Sequence, residues 1–514
     1  MRGNAGTSGG GTVGPGKEGT GTAFPWTHRR VREALGEASG GARSGGAGEG
    51  RAFAGVSTDT RTLREGDLFV ALRGPSFDGH AFLDAAASAG AAGAVVERGA
   101  VPSPAALVED FLLYEVTDTL EALGALARYR RRALKVPVMA ITGSSGKTTA
   151  KDLLTSVLST THSVHATSGN LNNRVGVPLT LLATPEEVDA VVVEVGTSEP
   201  GEIAALVRIA EPDLGMVTTV SESHLEGLGD LEGVMEEKLA LLRGLQPGGT
   251  AVVGDEPSSL PDRTRALSIP TRVAGLSVQA DPEWRGELLD VDGEGRWRVH
   301  IPAGTFRCGI PGRHGVRNAL LALAAGDLLG VPAQRGFAAV ERARAPGLRG
   351  EFLRLGDLTL VVDCYNANPQ STRAALQLLS DLPAHGGRVA VLGSMLELGP
   401  GSEAFHRRLL EWARTLPLRL VVGVGEFAVP AEQIREEALK SGASPRASSD
   451  SEGAPGSDGG AEFVGADTPD RAWTLLRSRL GGGETVLLKA SRGVALEELL
   501  PRFQEAFGPR GGTA

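Results

Sequence analysis

Apolar positions along the chain fall into short runs separated by stretches of helical spacing. Val138 to Ile141 is a continuous apolar run of strand type, and from Thr149 onward Ala150, Leu153, Leu154 and Val157 recur at the interval of one helix face. "AVVVEVG" and "GMVTTV" continue the alternation, which is the pattern of a mostly parallel sheet covered on both faces. "IPGRHGVRNALLALAAGDLLG" is a turn feeding an apolar-striped helix. Beyond "RAPGLRG", the runs "LTLVVDC", "RVAVLG", "RLVVGVG" and "ETVLLKA" alternate with helices in a doubly wound pattern. Ahead of Pro137, "GVSTDTRTLREGDLFVALRGPSFDGHAFLDAAASAGAAGAVVE" offers short strands and an alanine-rich helix. The pattern predicts an α/β fold of three domains: a small N-terminal α/β domain over 25–136, a central mostly parallel sheet over 137–345, and a C-terminal doubly wound, Rossmann-like domain over 346–514. Residues 1–24 are too rich in glycine to bury side chains and read as a disordered tail, and 441–460 read as a flexible insertion.

Composition narrows the class. A chain of 514 residues is too long for one core. The net charge is −10 and Lys and Arg are spread along the chain, which argues against a nucleic-acid or membrane surface built on global charge. Anionic ligands must therefore be held by local sites. Cys308 and Cys364 are the only cysteines and lie far apart, so neither a disulfide framework nor a cysteine metal site is indicated. No apolar run reaches the ~18 residues of a membrane helix. A cytoplasmic, non-inserted monomer is expected.

The strand–loop–helix over "MAITGSSGKTTAKDLL" carries the first chemistry. Gly143 and Gly146 let the backbone turn tightly, so that its N–H groups and the helix start face anionic oxygens. Lys147 would reach the β- and γ-phosphates of a nucleoside triphosphate, and the Thr148 hydroxyl would sit on Mg²⁺. The longer Walker form needs glycine where Ile141 stands; this chain has the shorter T-G-x-x-G-K-T, from Thr142 through Ser144 and Ser145 to Thr148, followed by Thr149. The bland alternative is a glycine turn with an incidental lysine. Glu194 ends an apolar strand, at the carboxyl edge where such sheets bind ligands.

Taken with "GNLNN" (Gly169 to Asn173), "EVG" (Glu194 to Gly196), "HLEGLG" (His224 to Gly229), "GRHGVRNALLA" (Gly312 to Ala322) and "KASR" (Lys489 to Arg492), this loop resembles the Mur ligases, ATP-dependent amide-forming enzymes of peptidoglycan precursor synthesis. The resemblance runs from roughly Phe53 to Phe503. It implies ATP held by the loop with His314, Asn318, Arg349 and Asp363. It implies Mg²⁺, with Mn²⁺ as the alternative, served by Thr148, Glu194, His224 and a carbamylated Lys238. Lys147, Glu194, His224 and Lys238 form the implied catalytic set. Ser57, Asp59, Thr60, Arg61, Asp78 and His80 match segments expected around a uridine diphosphate, which makes the first domain the UDP-binding one. Asn170, Asn172 and Asn173 match a loop beside the muramyl substrate, with turn chemistry as their plain alternative. Tyr365, Asn366, Lys489 and Arg492 are the further substrate candidates. One departure stands out: Gly315 follows His314 where an asparagine is common.

Within the family, "DCYNANPQST" (Asp363 to Thr372) and "VLGSMLELG" (Val391 to Gly399) look like the member that joins D-alanyl-D-alanine to a UDP-N-acetylmuramoyl tripeptide. The implied reaction runs through an acyl phosphate and builds up negative charge, so cations and helix termini are the expected tools. A sister ligase adding the third residue, a folylpolyglutamate synthase relative and a non-catalytic nucleotide-binding module are the rivals. A GTP switch would show N-K-x-D, which is absent.

Overall fold

A computed structural model describes residues 24–36, 39–43, 50–100, 111–345, 347–383, 386–440 and 460–508. The fold is α/β throughout, and the described chain forms two compact units. One runs to Thr117 and includes Ala183–Val188; the other holds Asp118–Leu182 and everything from Asp189 onward. Most of the glycine-rich tail and of the 441–460 insertion lies outside the described residues. Phe24, assigned to the tail from sequence, is 8% exposed and packs edge-on against Trp26 at 4.9 Å, because an aromatic ring gains by leaving water.

The first unit contains β1 (Trp26–Thr27), β2 (Ser39–Arg43), β3 (Ala52–Phe53), β4 (Val56–Ser57), β5 (Leu68–Val70), β6 (Gly93–Glu97) and β7 (Leu112–Val116). β1 pairs with β3, and the others form a sheet ordered β2-β7-β6-β5-β4, parallel except at β2. The alanine-rich segment becomes the helix Leu83–Ser88, which buries Leu83 and Ala86 against Phe69, Ala94 and Val96.

In the second unit, β8 (Val138–Thr142), β9 (Val164–Ala166), β10 (Ala190–Glu194), β11 (Leu214–Val217), β12 (Thr250–Gly254) and β13 (Thr271–Ala274) form an all-parallel sheet ordered β13-β12-β11-β8-β10-β9. The chain leaves β8 to one side for β9 and β10, then continues on the other side with β11. The crevice at such a reversal, outside the carboxyl ends of the strands, is where open α/β sheets take ligands. A small antiparallel sheet follows, β14 (Glu287–Val291), β15 (Trp297–Ile301) and β16 (Gly304–Arg307), which the apolar runs do not signal because these strands are half exposed. The last sheet contains β17 (Glu351–Leu355), β18 (Leu358–Asp363), β19 (Arg388–Gly393), β20 (Leu420–Val424), β21 (Glu462–Ala466) and β22 (Thr485–Lys489). Its order is β17-β18-β22-β19-β20-β21, parallel except at β17.

Candidate active site

β8 delivers the phosphate loop to the middle of its sheet, and Lys147–Leu158 leaves it as a helix burying Ala150, Leu153, Leu154 and Val157. Gly143 (φ 151°) and Gly146 (φ 83°) hold backbone that other residues rarely adopt, and a Cβ on them would meet Thr218 Oγ1 at 2.0 Å and Asn318 Oδ1 at 2.6 Å. The loop is pinned from the segment after β11. Ser144 N–H donates to the Thr219 carbonyl (2.9 Å), Ser144 Oγ to the Ser221 carbonyl (2.9 Å), and Thr218 Oγ1 to the Ser145 carbonyl (2.5 Å). Thr142 Oγ1 is buried without a partner, and Thr148 and Thr149 are half-buried on the first turn. Lys147 Nζ donates to the Gly143 carbonyl (2.7 Å). Burial pulls its pKa down, nearby Glu194 opposes that, and the Arg349 guanidinium adds to it.

Glu194, at the end of β10, is buried. Its Oε1 accepts from Asn172 Nδ2 at 2.8 Å, while Oε2 is buried with no partner. Asn172 also offers its carbonyl to Gly196 N–H (2.7 Å). Its neighbours differ. Asn170 is exposed, and Asn173 Oδ1 accepts from Val175 and Gly176 N–H, opening the helix Gly176–Leu182, which is the turn chemistry given as its alternative. Lys238, in the helix Leu231–Arg243, is 0% exposed and its Nζ has no partner. Burial pushes its pKa far below the usual lysine value, and Lys147 lowers it further against the pull of Glu237 and Glu202.

His224 opens the helix Leu225–Leu228, and its Nδ1 lies 2.5 Å from Glu397 Oε2 on the loop after β19. The pair is close but does not have regular hydrogen-bond alignment. It holds the Glu397 carboxyl below its ordinary pKa.

The last sheet brings a second set. Asp363 ends β18 and Lys489 ends β22, directly paired in register, and their side chains meet at 2.9 Å. Lys489 Nζ also donates to the Asn366 carbonyl (2.6 Å). The Arg349 guanidinium lies 3.7 Å from the centre of the Tyr365 ring, with that of Arg492 at 5.8 Å. His314, in the helix Gly312–Leu328, is depressed in pKa by burial, with Asp363 opposing and Lys489 and Arg317 adding. Asn318 is buried on the same helix beside Gly146. Gly315 has a steric reason: a Cβ there would lie 2.5 Å from the Ile310 carbonyl oxygen.

Three further residues near the phosphate loop carry contacts that the sequence does not announce. Asn368 caps the helix Pro369–Asp381 and its Nδ2 reaches the Ser144 carbonyl at 3.4 Å. Gln370 accepts from Thr219 Oγ1 (2.6 Å) and donates to Glu256 (3.2 Å). Arg317 pairs with Asp255 (3.0 Å) and Glu256 (2.8 Å). The first two stand within "DCYNANPQST", and their polar side chains beside a proline-started helix were the available signal.

In the first unit the remaining candidates sit at the carboxyl ends of neighbouring parallel strands. After β4, Ser57 Oγ accepts from Asp59 N–H (3.2 Å), Thr60 is half-buried, and Asp59 holds Arg61 through both carboxylate oxygens, which takes its pKa to about 2. After β5, Asp78 meets His80 Nδ1 at 2.6 Å and Arg73 at 2.9 Å, and its pKa is about 2. His80 Nε2 accepts the Glu97 N–H (2.8 Å), which leaves Nδ1 facing Asp78.

A glycine-turned loop between a buried parallel strand and a helix, a lysine at the helix start, and a buried carboxylate on the adjacent strand end define a phosphate-loop nucleotide-binding α/β protein. Residues 141–326 match the Mur ligase middle domain, 348–492 the Mur ligase glutamate ligase domain, and 52–131 the Mur ligase family catalytic domain. The chain belongs to the Mur ligase family. It is 35% identical to UDP-N-acetylmuramoyl-tripeptide–D-alanyl-D-alanine ligase of Bacillus subtilis, over 88% of this chain and 93% of that one. The Escherichia coli protein of the same name is 33% identical over 88% and 93%. Among solved structures, MurF from Acinetobacter baumannii superposes with a TM-score of 0.79 at 28% identity, covering 94% of this chain and 100% of that chain. MurF ligase from Thermotoga maritima in complex with ADP gives 0.73 at 27%, covering 88% and 97%.

Proposed function

We propose that the chain is an ATP-dependent ligase that joins D-alanyl-D-alanine to a UDP-N-acetylmuramoyl tripeptide with release of ADP and phosphate. Identity of about a third to relatives of that name, over nearly their whole length, carries the reading. The site chemistry supports it. A tripeptide carboxylate oxygen attacks the γ-phosphorus of ATP, the bond to the ADP oxygen breaks, and an acyl phosphate forms. The dipeptide amine then attacks the acyl carbon, the carbon–oxygen bond to phosphate breaks, and the amine's proton leaves to solvent.

Lys147, the loop N–H groups and Arg349 would hold the phosphates, with Asp363 on the ribose and His314 and Asn318 toward the adenine. Tyr365, Asn366, Lys489 and Arg492 would receive the dipeptide end. Asn170, Asn172 and Asn173 would lie toward the muramyl group, and Ser57, Asp59, Thr60, Arg61, Asp78 and His80 would hold the uridine diphosphate. Thr148, Glu194 and His224 suit a hard cation: Glu194 Oε2 is a buried acceptor with nothing bound to it, and a phosphate-bound Mg²⁺ needs only one or two protein ligands. Among the described residues no cluster of three His, Cys, Asp or Glu side chains could hold a metal alone. Mg²⁺, when bound, would offset the charge on the transferring phosphoryl group. Lys238 is buried, its Nζ has no partner and burial pushes its pKa down; as the free amine it would add CO₂ and lose a proton to give a carbamate.

Product mass spectrometry tests the proposal, with UDP-muramyl tripeptides of both common kinds, each with and without D-alanyl-D-alanine. A pentapeptide product that needs the dipeptide is expected; ATP hydrolysis with neither substrate would overturn it. Light scattering tests the expected monomer and cell fractionation the expected cytoplasmic location.

A further inference from the structure

The loop after β19 is held more firmly than its surface position requires. Ser394 Oγ accepts the Glu426 N–H (2.9 Å), and Ser491 Oγ accepts the Leu396 N–H (3.1 Å). The Met395 N–H donates to Nε2 of the fully buried His406 (2.9 Å), whose Nδ1–H goes to the Ser402 carbonyl (2.7 Å). Three consecutive residues are thus fastened from three different elements. The next residue is Glu397, with its side chain 56% exposed and its backbone left-handed at φ 63°. A non-glycine residue persists in that conformation only where its surroundings impose it.

This loop presents Glu397 to the other sheet. Its carboxylate meets His224 Nδ1, and its carbonyl faces the Glu226 N–H at 3.4 Å, so the loop engages the start of the helix Leu225–Leu228 twice. His224 is itself left-handed, at φ 53°. Rigid support behind a carboxylate, and a constrained imidazole in front of it, are what orientation of one by the other requires.

We propose that Glu397 is a positioning residue for His224: it draws the ring proton to Nδ1 and leaves Nε2 bare. A carboxylate on one ring nitrogen fixes the tautomer and the ring angle, and the other nitrogen then has the lone pair that a cation needs. Because the carboxylate comes from the last sheet and the imidazole from the phosphate-loop sheet, His224 is prepared only while the two loops are together. Catalytic hydrogen bonds of imperfect alignment tighten in the working complex. The inference rests on the reading that His224 serves the phosphate site.

The test uses the full chain, metal-free, with ¹⁵N-labelled histidine, at a pH where the ring is neutral, and with the His224 signals assigned by their loss in His224→Gln. The wild-type ring is expected with its proton on Nδ1. Glu397→Ala should move it to the Nε2–H form that free histidine favours in water. In the same variant kcat should fall about 10- to 100-fold while each KM moves less than about threefold. Glu397→Gln, whose amide oxygen still accepts from Nδ1–H, should restore both. An unchanged tautomer in natively folded Glu397→Ala, or a Glu397→Gln variant as impaired as the alanine variant, would overturn the proposal. If the wild-type chain forms no amide at all, the ligase reading fails, while the tautomer measurement still decides the role of Glu397.

Discussion

Asn172 and Glu194 divide a carboxylate in two: Nδ2 holds Oε1 at 2.8 Å, and Oε2 stays buried with no partner. One oxygen is positioned and the other is kept for a ligand. Glu194→Gln keeps the shape and removes the charge, and is expected to lower kcat about 10²- to 10³-fold, a loss typical of removing a preorganised charge. Asn172→Ala leaves Oε1 without its donor and should cost less, about tenfold, in line with one lost hydrogen bond to a charged group. Phosphate release under saturating substrates measures both. Equal losses would mean that the pair does not divide its work in this way.

Lys147→Ala should nearly abolish product formation, because it takes a cation away from developing phosphoryl charge. Deleting residues 1–22 should leave activity unchanged. Extending the cut through Trp26 removes the Phe24–Trp26 pair and two buried rings, and should lower the melting temperature by several degrees, as about 2–4 kcal/mol of lost burial would. Differential scanning fluorimetry on the two truncations separates these outcomes.

Lys238→Ala should fold normally and lose most ligase activity, with partial recovery in millimolar acetate or propionate, whose carboxylate can enter the vacated space. Wild-type protein exposed to ¹³CO₂ should show a carbamate carbon signal that the variant does not. Full activity in Lys238→Ala would dismiss the carbamate.

Burial lowers the pKa of His165, His314 and His406. The unfolded chain takes up a proton at each near pH 6.5, the folded chain only at lower pH, so their contribution is complete above about pH 6.5 and is lost as pH falls below it. Thermal stability should therefore decline between about pH 7 and 5, ahead of the carboxylates. His406→Gln should flatten that slope, because Nε2 accepts the Met395 N–H while Nδ1–H donates to the Ser402 carbonyl, and a protonated ring would keep the second bond but lose the first. Melting curves over this range check the sign.

Cys308 and Cys364 are free and fully buried, and burial pushes both thiols up to about 12. A thiol reagent at pH 8 should label neither in the native protein and both after denaturation. Rapid labelling of one would show that its sheet opens locally.

The sequence was most informative where chemistry is local. β8, the glycines and Lys147 follow from a few adjacent residues, and Glu194 from its place at the end of an apolar run. Asn368, Gln370 and Glu397 become visible only when segments 151 to 224 residues apart meet, and nothing in their own neighbourhoods states the partner. Tyr365 is a substrate candidate by its motif, and the structure adds that the Arg349 guanidinium lies over its ring, a contact that nothing local announces. The half-exposed β14–β16 sheet escaped for another reason: its alternation is too weak to stand out against polar loops.

Gly315 shows how such a site comes to depend on its history. With the Ile310 carbonyl 2.5 Å from where a Cβ would be, the turn before the helix Gly312–Leu328 is fitted to glycine. An asparagine there would bring its Cβ against that carbonyl, so the turn has to shift to admit it. A compound designed around an asparagine amide at that place would find no side chain here.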